Sequence, residues 1–221
     1  MNYAPTTYAA MIISAALTLL IGIYAYVNRR ERGARHLSLV MCMASLNAFG
    51  SIFETVTQDV NQKLFWFNFH ETAHIFAIPF FLFFILEYVG LDHKLRRSVV
   101  LPILLYFALW SAMLWTDSYH HLMRYNFAVQ DGVLMFSSTG LSISLNIIGF
   151  MAVFAALYYL ALYVGKAGPL ARKQALWVGL SVVLPILWTI FGIVNPLPPL
   201  LWSVYNSITN VMIGLCMFMA I

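Results

Sequence analysis

Seven stretches of about twenty mostly apolar residues, separated by short polar loops, limit what this chain can fold into. A helix rises about 1.5 Å per residue, so about 20 apolar residues cross the hydrocarbon core of a bilayer. The stretches fall at residues 8–27, 37–56, 64–88, 98–115, 140–164, 174–194 and 200–221. Inside hydrocarbon every backbone N–H and C=O must find a partner within the protein, and runs of this length meet that demand as helices. Charged residues make up 9% of the chain, against about 25% in soluble domains. The expected fold class is an all-α membrane protein, one seven-transmembrane helix bundle over residues 1–221. The first span has no basic segment ahead of it and is too long for a signal-peptide core, so it is expected to be an uncleaved anchor.

The loops set the orientation. Arg29, Arg30, Arg32 and Arg35 follow span 1; Lys94, Arg96 and Arg97 follow span 3; Lys166, Arg172 and Lys173 follow span 5. These are ten of the twelve Lys and Arg residues, and only Lys63 and Arg124 lie on the other side. The basic side is expected to be cytoplasmic, with the N-terminus outside and the C-terminus inside, in the inner (cytoplasmic) membrane. The net charge of +4 is accounted for by these loops and gives no sign of a nucleic-acid partner. Membrane lipid is the surrounding partner.

The long outer loop, 116–139, holds two β-favouring runs, Tyr125–Val129 and Val133–Phe136, around Gln130-Asp131-Gly132. That pattern predicts a β-hairpin between spans 4 and 5, lying across the outer mouth of the bundle. Trp66, Trp115 and Trp202 near outer span ends, with Trp177 near an inner one, read as an interfacial aromatic belt. Pro79, Gly179 and Pro185 are expected kink or packing positions. Cys42 and Cys216 lie inside spans and read as packing residues.

Span 3 carries an unusual load for a membrane helix: His70, Glu71, His74 and Glu87. Ionisable groups at membrane depth are costly and tend to face a protein interior or a wet cavity. His70 lies roughly 9 Å and His74 roughly 15 Å below the outer end of the span. Glu54 lies one turn below the outer end of span 2, and the short 57–63 loop makes spans 2 and 3 antiparallel neighbours. Glu54, His70, Glu71 and His74 are therefore expected to share one outward-facing cavity, with Asp117, His120 and His121 at the same face. Asn47, Asn146, Asn206 and Asn210 are expected to make interhelical hydrogen bonds. Asn206 and Asn210 share a face of span 7 and are candidates for signal transfer. Glu87 is expected to be neutralised by Lys94, Arg96 or Arg97.

The order of these features resembles the N-terminal seven-transmembrane region of histidine kinases, also found ahead of diguanylate cyclase modules. The likeness is carried by Lys63-Leu64-Phe65-Trp66-Phe67, Pro79 and Glu87-Tyr88-Val89-Gly90 in and after span 3. It continues with Pro102, with Asp117-Ser118-Tyr119-His120-His121-Leu122, and with Ala171-Arg172-Lys173-Gln174-Ala175 leading to Pro185. The resemblance implies a sensory input module whose last span leads to a cytoplasmic signalling domain, C-terminal to this chain or in a partner. The 221 residues hold no kinase phosphoacceptor box, nucleotide-binding segment or GGDEF-type motif.

Three functional readings follow. In the first, Glu54, His70, Glu71, His74, His120 and His121 bind a small-molecule or ion signal near the outer face, and span 7 passes the change inward, with a homodimer compatible with that role. Histidine suits such a site because its charge changes near neutral pH. In the second, His70-Glu71-Thr72-Ala73-His74 matches H-E-x-x-H, with His70 and His74 as zinc ligands, Glu71 as catalytic base, and Glu54, Asp117, His120 or His121 as third ligand. The resemblance favours a non-enzymatic role for this chain. In the third, the polar residues form a structural network without ligand. Retinal is excluded by the lack of a lysine within any span. A bis-histidine haem is disfavoured because span 3 holds the membrane histidines.

Overall fold

A computed structural model describes residues 5–130, 133–194 and 199–218. The helices are α1 (Pro5–Val27), α2 (Ala34–Val56), α3 (Val60–Tyr88), α4 (Arg97–Trp115), the short α5 (Asp117–His120), α6 (Gly140–Val164), α7 (Pro169–Val194) and α8 (Pro199–Phe218). Strands β1 (Arg124–Gln130) and β2 (Val133–Ser138) stand between α5 and α6. Among the described residues, α1 to α4 and α6 are long and apolar enough to cross a membrane. α7 contains the whole of the 174–194 stretch, and α8 covers 200–218 of the last one.

Local chemistry explains where the elements begin. The Asp59 carboxylate accepts the Gln62 N–H at 2.9 Å, so α3 starts at Val60. This Asp-x-x-Gln spacing is a helix N-terminus signal, and it places Lys63 inside the helix, where the sequence reading leaves it in a loop. Thr139 caps α6 by accepting from Ser142 N at 3.2 Å. Pro169 opens α7 in a first-turn position, where a missing N–H costs nothing.

Helices α1, α2, α3, α6, α7 and α8 pack as successive neighbours, and α8 returns to α1; α2 also meets α8, and α4 lies against the far side of α3. One end of the bundle carries the arginine-rich 28–33 turn, and the other carries the hairpin. Toward the arginine end, Leu37, Met41, Phe84, Ile85, Leu160 and Val178 form the main core. Toward the hairpin end, Ile75, Phe107, Trp110, Leu114 and Met123 form a second one between α3, α4 and the entry to β1. Apolar side chains such as Ile147, Phe150, Met151 and Phe154 of α6 point outward, as lipid contact requires.

The expected hairpin forms. β1 and β2 are antiparallel, with Val129 opposite Leu134 and Ala128 opposite Met135, and a bulge between Tyr125 and Ala128. Asp131 and Gly132 lie outside the described residues. β2 packs on α2 and α3, so Leu134 is buried, while β1 reaches α3 through Arg124 over the Phe67 ring and is exposed beyond Arg124.

Candidate functional site

The junction of α2, α3 and β2 gathers the polar side chains. Gly50 makes it close: a Cβ there would stand 2.7 Å from His70 Cβ and 2.9 Å from Phe69 Cδ1. With α2 this near, His70 Nε2 lies 2.9 Å from Glu54 Oε2, and both side chains are almost fully buried. The other carboxylate oxygen, Glu54 Oε1, accepts the Leu134 N–H of β2 at 2.8 Å. Lys63 Nζ donates to the Glu54 carbonyl at 2.6 Å.

On the far side of the imidazole, Asn47 Nδ2 donates to the His70 carbonyl at 3.0 Å and stands 3.4 Å from His70 Nδ1. A carboxylate only accepts, so the Nε2–H donates to Glu54, and Nδ1 faces the Asn47 amide nitrogen. Asn47 Oδ1 in turn accepts from Asn210 Nδ2 of α8 at 3.4 Å. One polar chain thus runs from β2, through Glu54, His70 and Asn47, to α8. Its last link is the longest and weakest.

A second polar centre anchors the hairpin. Arg124 and Asp117 are both buried, with Arg124 Nε donating to Asp117 Oδ2 at 3.2 Å and Nη2 to the Leu114 carbonyl at 3.1 Å. Asp117 Oδ1 accepts Met123 N–H at 2.8 Å. The guanidinium carbon lies 5.2, 5.6 and 5.5 Å from the Phe67, Phe127 and Phe136 ring centres, a cation–π cage in which desolvation strengthens the attraction. Burial lowers the Arg124 pKa, and the Asp117 carboxylate opposes that shift. Phe67 joins the two centres, since its ring also meets His70 edge-on at 5.0 Å.

The structure brings Glu54 and His70 together and leaves other predicted members elsewhere. His74 is exposed on α3. Four residues along a helix amount to about 400°, so His74 is turned roughly 40° from His70, enough to leave the α2 contact. Glu71 is half-buried and feels the charge of Arg124. His120 belongs to the α5 turn, with Nε2 3.1 Å from Thr116 Oγ1 and Nδ1 accepting Leu122 N–H at 3.1 Å. His121 is exposed and closes that turn at a φ of 52°. Asp117 is held by Arg124, with His120 Nδ1 3.5 Å from its Oδ1. Among the described residues, no group of three or more His, Cys, Asp and Glu could hold a metal, and the exposed His74 is not part of the Glu54–His70 contact.

A family model described as the N-terminal 7TM region of histidine kinase matches residues 10–221. The chain belongs to this family. No curated protein matches it.

Within this 7TM region several neutralising contacts differ from expectation. Glu87 pairs with His36, Nδ1 to Oε2 at 2.5 Å, because antiparallel α2 and α3 set the start of one beside the end of the other. Lys94 goes to the Tyr159 hydroxyl at 3.2 Å instead. Asn146 bonds within its own helix, to the Ser142 carbonyl at 2.9 Å, whereas Asn47 and Asn210 cross between helices as expected. The side chains of Asn206, Pro185 and Trp202 lie outside the described residues. Trp66 and Trp115 do stand at the hairpin end, joined through Phe65 at 5.3 and 5.4 Å. Sequence reasoning misses Lys63 and Arg124 as buried groups; the capping spacing at Asp59 and the Asp117-to-Arg124 interval were the available signals.

Proposed function

We propose that this 7TM region is the sensory input module of a signal-transducing histidine kinase. In this reading the chain crosses the inner membrane seven times, with the hairpin end outside and the arginine end cytoplasmic. The ten-to-two split of Lys and Arg supports that orientation. The observation that carries the reading is the hydrogen-bonded chain from the Leu134 N–H to Asn210. It links the part of the molecule open to the outside with the helix nearest a C-terminal output domain.

A ligand, ion or membrane signal that moves β2, or competes for Glu54 or His70, changes the first link. The Asn47–Asn210 contact opens at least cost, so α8 is the element free to respond. A signal shifts this equilibrium only by its difference in affinity for the two arrangements. Glu54, His70 and Glu71 are the proposed signal-contacting residues, with His120 and His121 at the mouth. Asn210, with Asn206, is the proposed transfer element. The output is a kinase or diguanylate cyclase domain, attached or in a partner, and a homodimer fits this role. The family and the exposed His74 both weigh against the hydrolase reading.

The test joins the 7TM region to a histidine-kinase core in proteoliposomes and measures autophosphorylation. A polar contact between membrane helices is worth about 0.6 kcal/mol, so Asn210→Ala is expected to shift the basal rate about threefold, and His70→Ala by at least as much, with His74→Ala unchanged. Folded Asn210→Ala and His70→Ala proteins with the parent's rate would contradict the reading.

A further inference from the structure

At the arginine end, the turn between α1 and α2 builds a pocket that the sensing argument does not use. Tyr26, Arg29, Arg30 and Arg35 line a half-open depression of about 460 Å³. Arg29 is already positioned: Nη1 donates to the Tyr26 hydroxyl at 3.0 Å, and the guanidinium lies 5.1 Å from that ring. The other guanidinium groups have no competing acid. Among the described residues, none of Arg29, Arg30 and Arg35 has a carboxylate within ion-pair distance, and Glu87, at the same end, is taken by His36. Glu31, the one carboxylate of the turn, does not line the cavity.

Three guanidinium forks around one space match an anionic oxygen cluster such as a phosphate, which takes planar bidentate donors well. The surroundings indicate which phosphate. Ile12, Leu19, Ile23 and Tyr26 recur at helical spacing along one exposed face of α1, and that face ends at the pocket. An apolar track of this length running into a basic pocket suits acyl chains joined to an anionic headgroup.

We infer that the Tyr26–Arg29–Arg30–Arg35 pocket binds the phosphate headgroup of an anionic membrane lipid, whose acyl chains lie along the exposed face of α1. An excess of arginine on one side of a membrane protein needs only charge in the right loops. This site also requires a defined place for it, and that separates the two explanations. The inference needs α1 in a membrane and is independent of the relay to α8.

The test is native mass spectrometry of the full chain in non-ionic detergent, titrated separately with phosphatidylglycerol, phosphatidylcholine and inorganic phosphate. Arg30→Ala with Arg35→Ala is compared with Arg97→Ala with Lys173→Ala, which removes equal charge at the same end. Phosphatidylglycerol is expected to bind the parent and to bind the pocket variant roughly tenfold or more weakly, with the control within twofold of the parent. Equal losses in both variants would reduce the site to a diffuse field and overturn the inference. So would phosphatidylcholine binding as well as phosphatidylglycerol, or inorganic phosphate binding as tightly as the lipid. The substituted side chains are all exposed, so a folded protein is expected in every arm, and circular dichroism checks it.

Discussion

Glu54 is the residue on which most of the polar structure converges. One oxygen takes the His70 Nε2–H and the other the Leu134 N–H, while the Glu54 backbone carbonyl takes Lys63. Glu54→Leu would keep an apolar volume but leave two buried donors unpaired, at about 1–3 kcal/mol each. Reversible unfolding in mixed micelles should show a loss of that order. The Asp117–Arg124 pair makes a sharper case. Asp117→Asn leaves a buried guanidinium without its counter-charge, and a loss of about 3–5 kcal/mol is expected. Replacing both partners, Asp117→Leu with Arg124→Met, removes the uncompensated charge and should recover much of that loss. If the double variant is less stable than either single one, the ion pair is not the origin of the penalty. At this scale the sequence shows which residues are polar at membrane depth but not which way they face. His70 and His74 share a motif, and a rotation of about 40° separates a buried hydrogen-bonded group from an exposed one.

Among the elements, α3 fixes the rest, since it meets α2, α4, α6 and β2. Its closeness to α2 depends on Gly50, where an added Cβ would press on His70 Cβ at 2.7 Å and on the His70 backbone at 3.3 Å. These atoms cannot move without the helix, so Gly50→Ala should cost about 1–3 kcal/mol through overpacking and weaken the Glu54–His70 bond. Gly214 of α8 offers the control. A Cβ there meets Met41 Sδ at 2.9 Å and Ile21 Cδ1 at 3.0 Å, both ends of side chains able to turn aside. Gly214→Ala should therefore be tolerated, and thermal unfolding of the two variants side by side checks the contrast. Helix extents were readable because hydrophobic length is a direct consequence of membrane thickness, and α6 runs over 140–164 as expected. The hairpin was readable from Asp131-Gly132 between β-favouring runs. The start of α3 was misplaced because hydropathy alone excludes Lys63, whereas the Asp59 cap and the Glu54 carbonyl accommodate it.

For the whole molecule, the consequential feature is a line of polar contacts that crosses between helices. The line begins at β2 and finishes at α8. Apolar packing elsewhere, such as Leu37, Phe84 and Leu160 in the main core, holds the bundle. The family was legible in the sequence, because it rests on patterns spread along the chain. The line itself was not. It depends on Asn47 and Asn210 meeting across 163 positions, and on a backbone N–H of β2 that no sequence pattern marks.

The central claim is that Glu54 and Asn210, which share no contact, are energetically linked through His70 and Asn47. A double-mutant cycle of Glu54→Gln and Asn210→Ala, read by reversible unfolding of the chain in lipid–detergent micelles, measures that link directly. Members of one hydrogen-bond network couple by at least about 0.5 kcal/mol, and that is the predicted interaction energy. Strict additivity of the two substitutions, with both variants folded, would contradict the account.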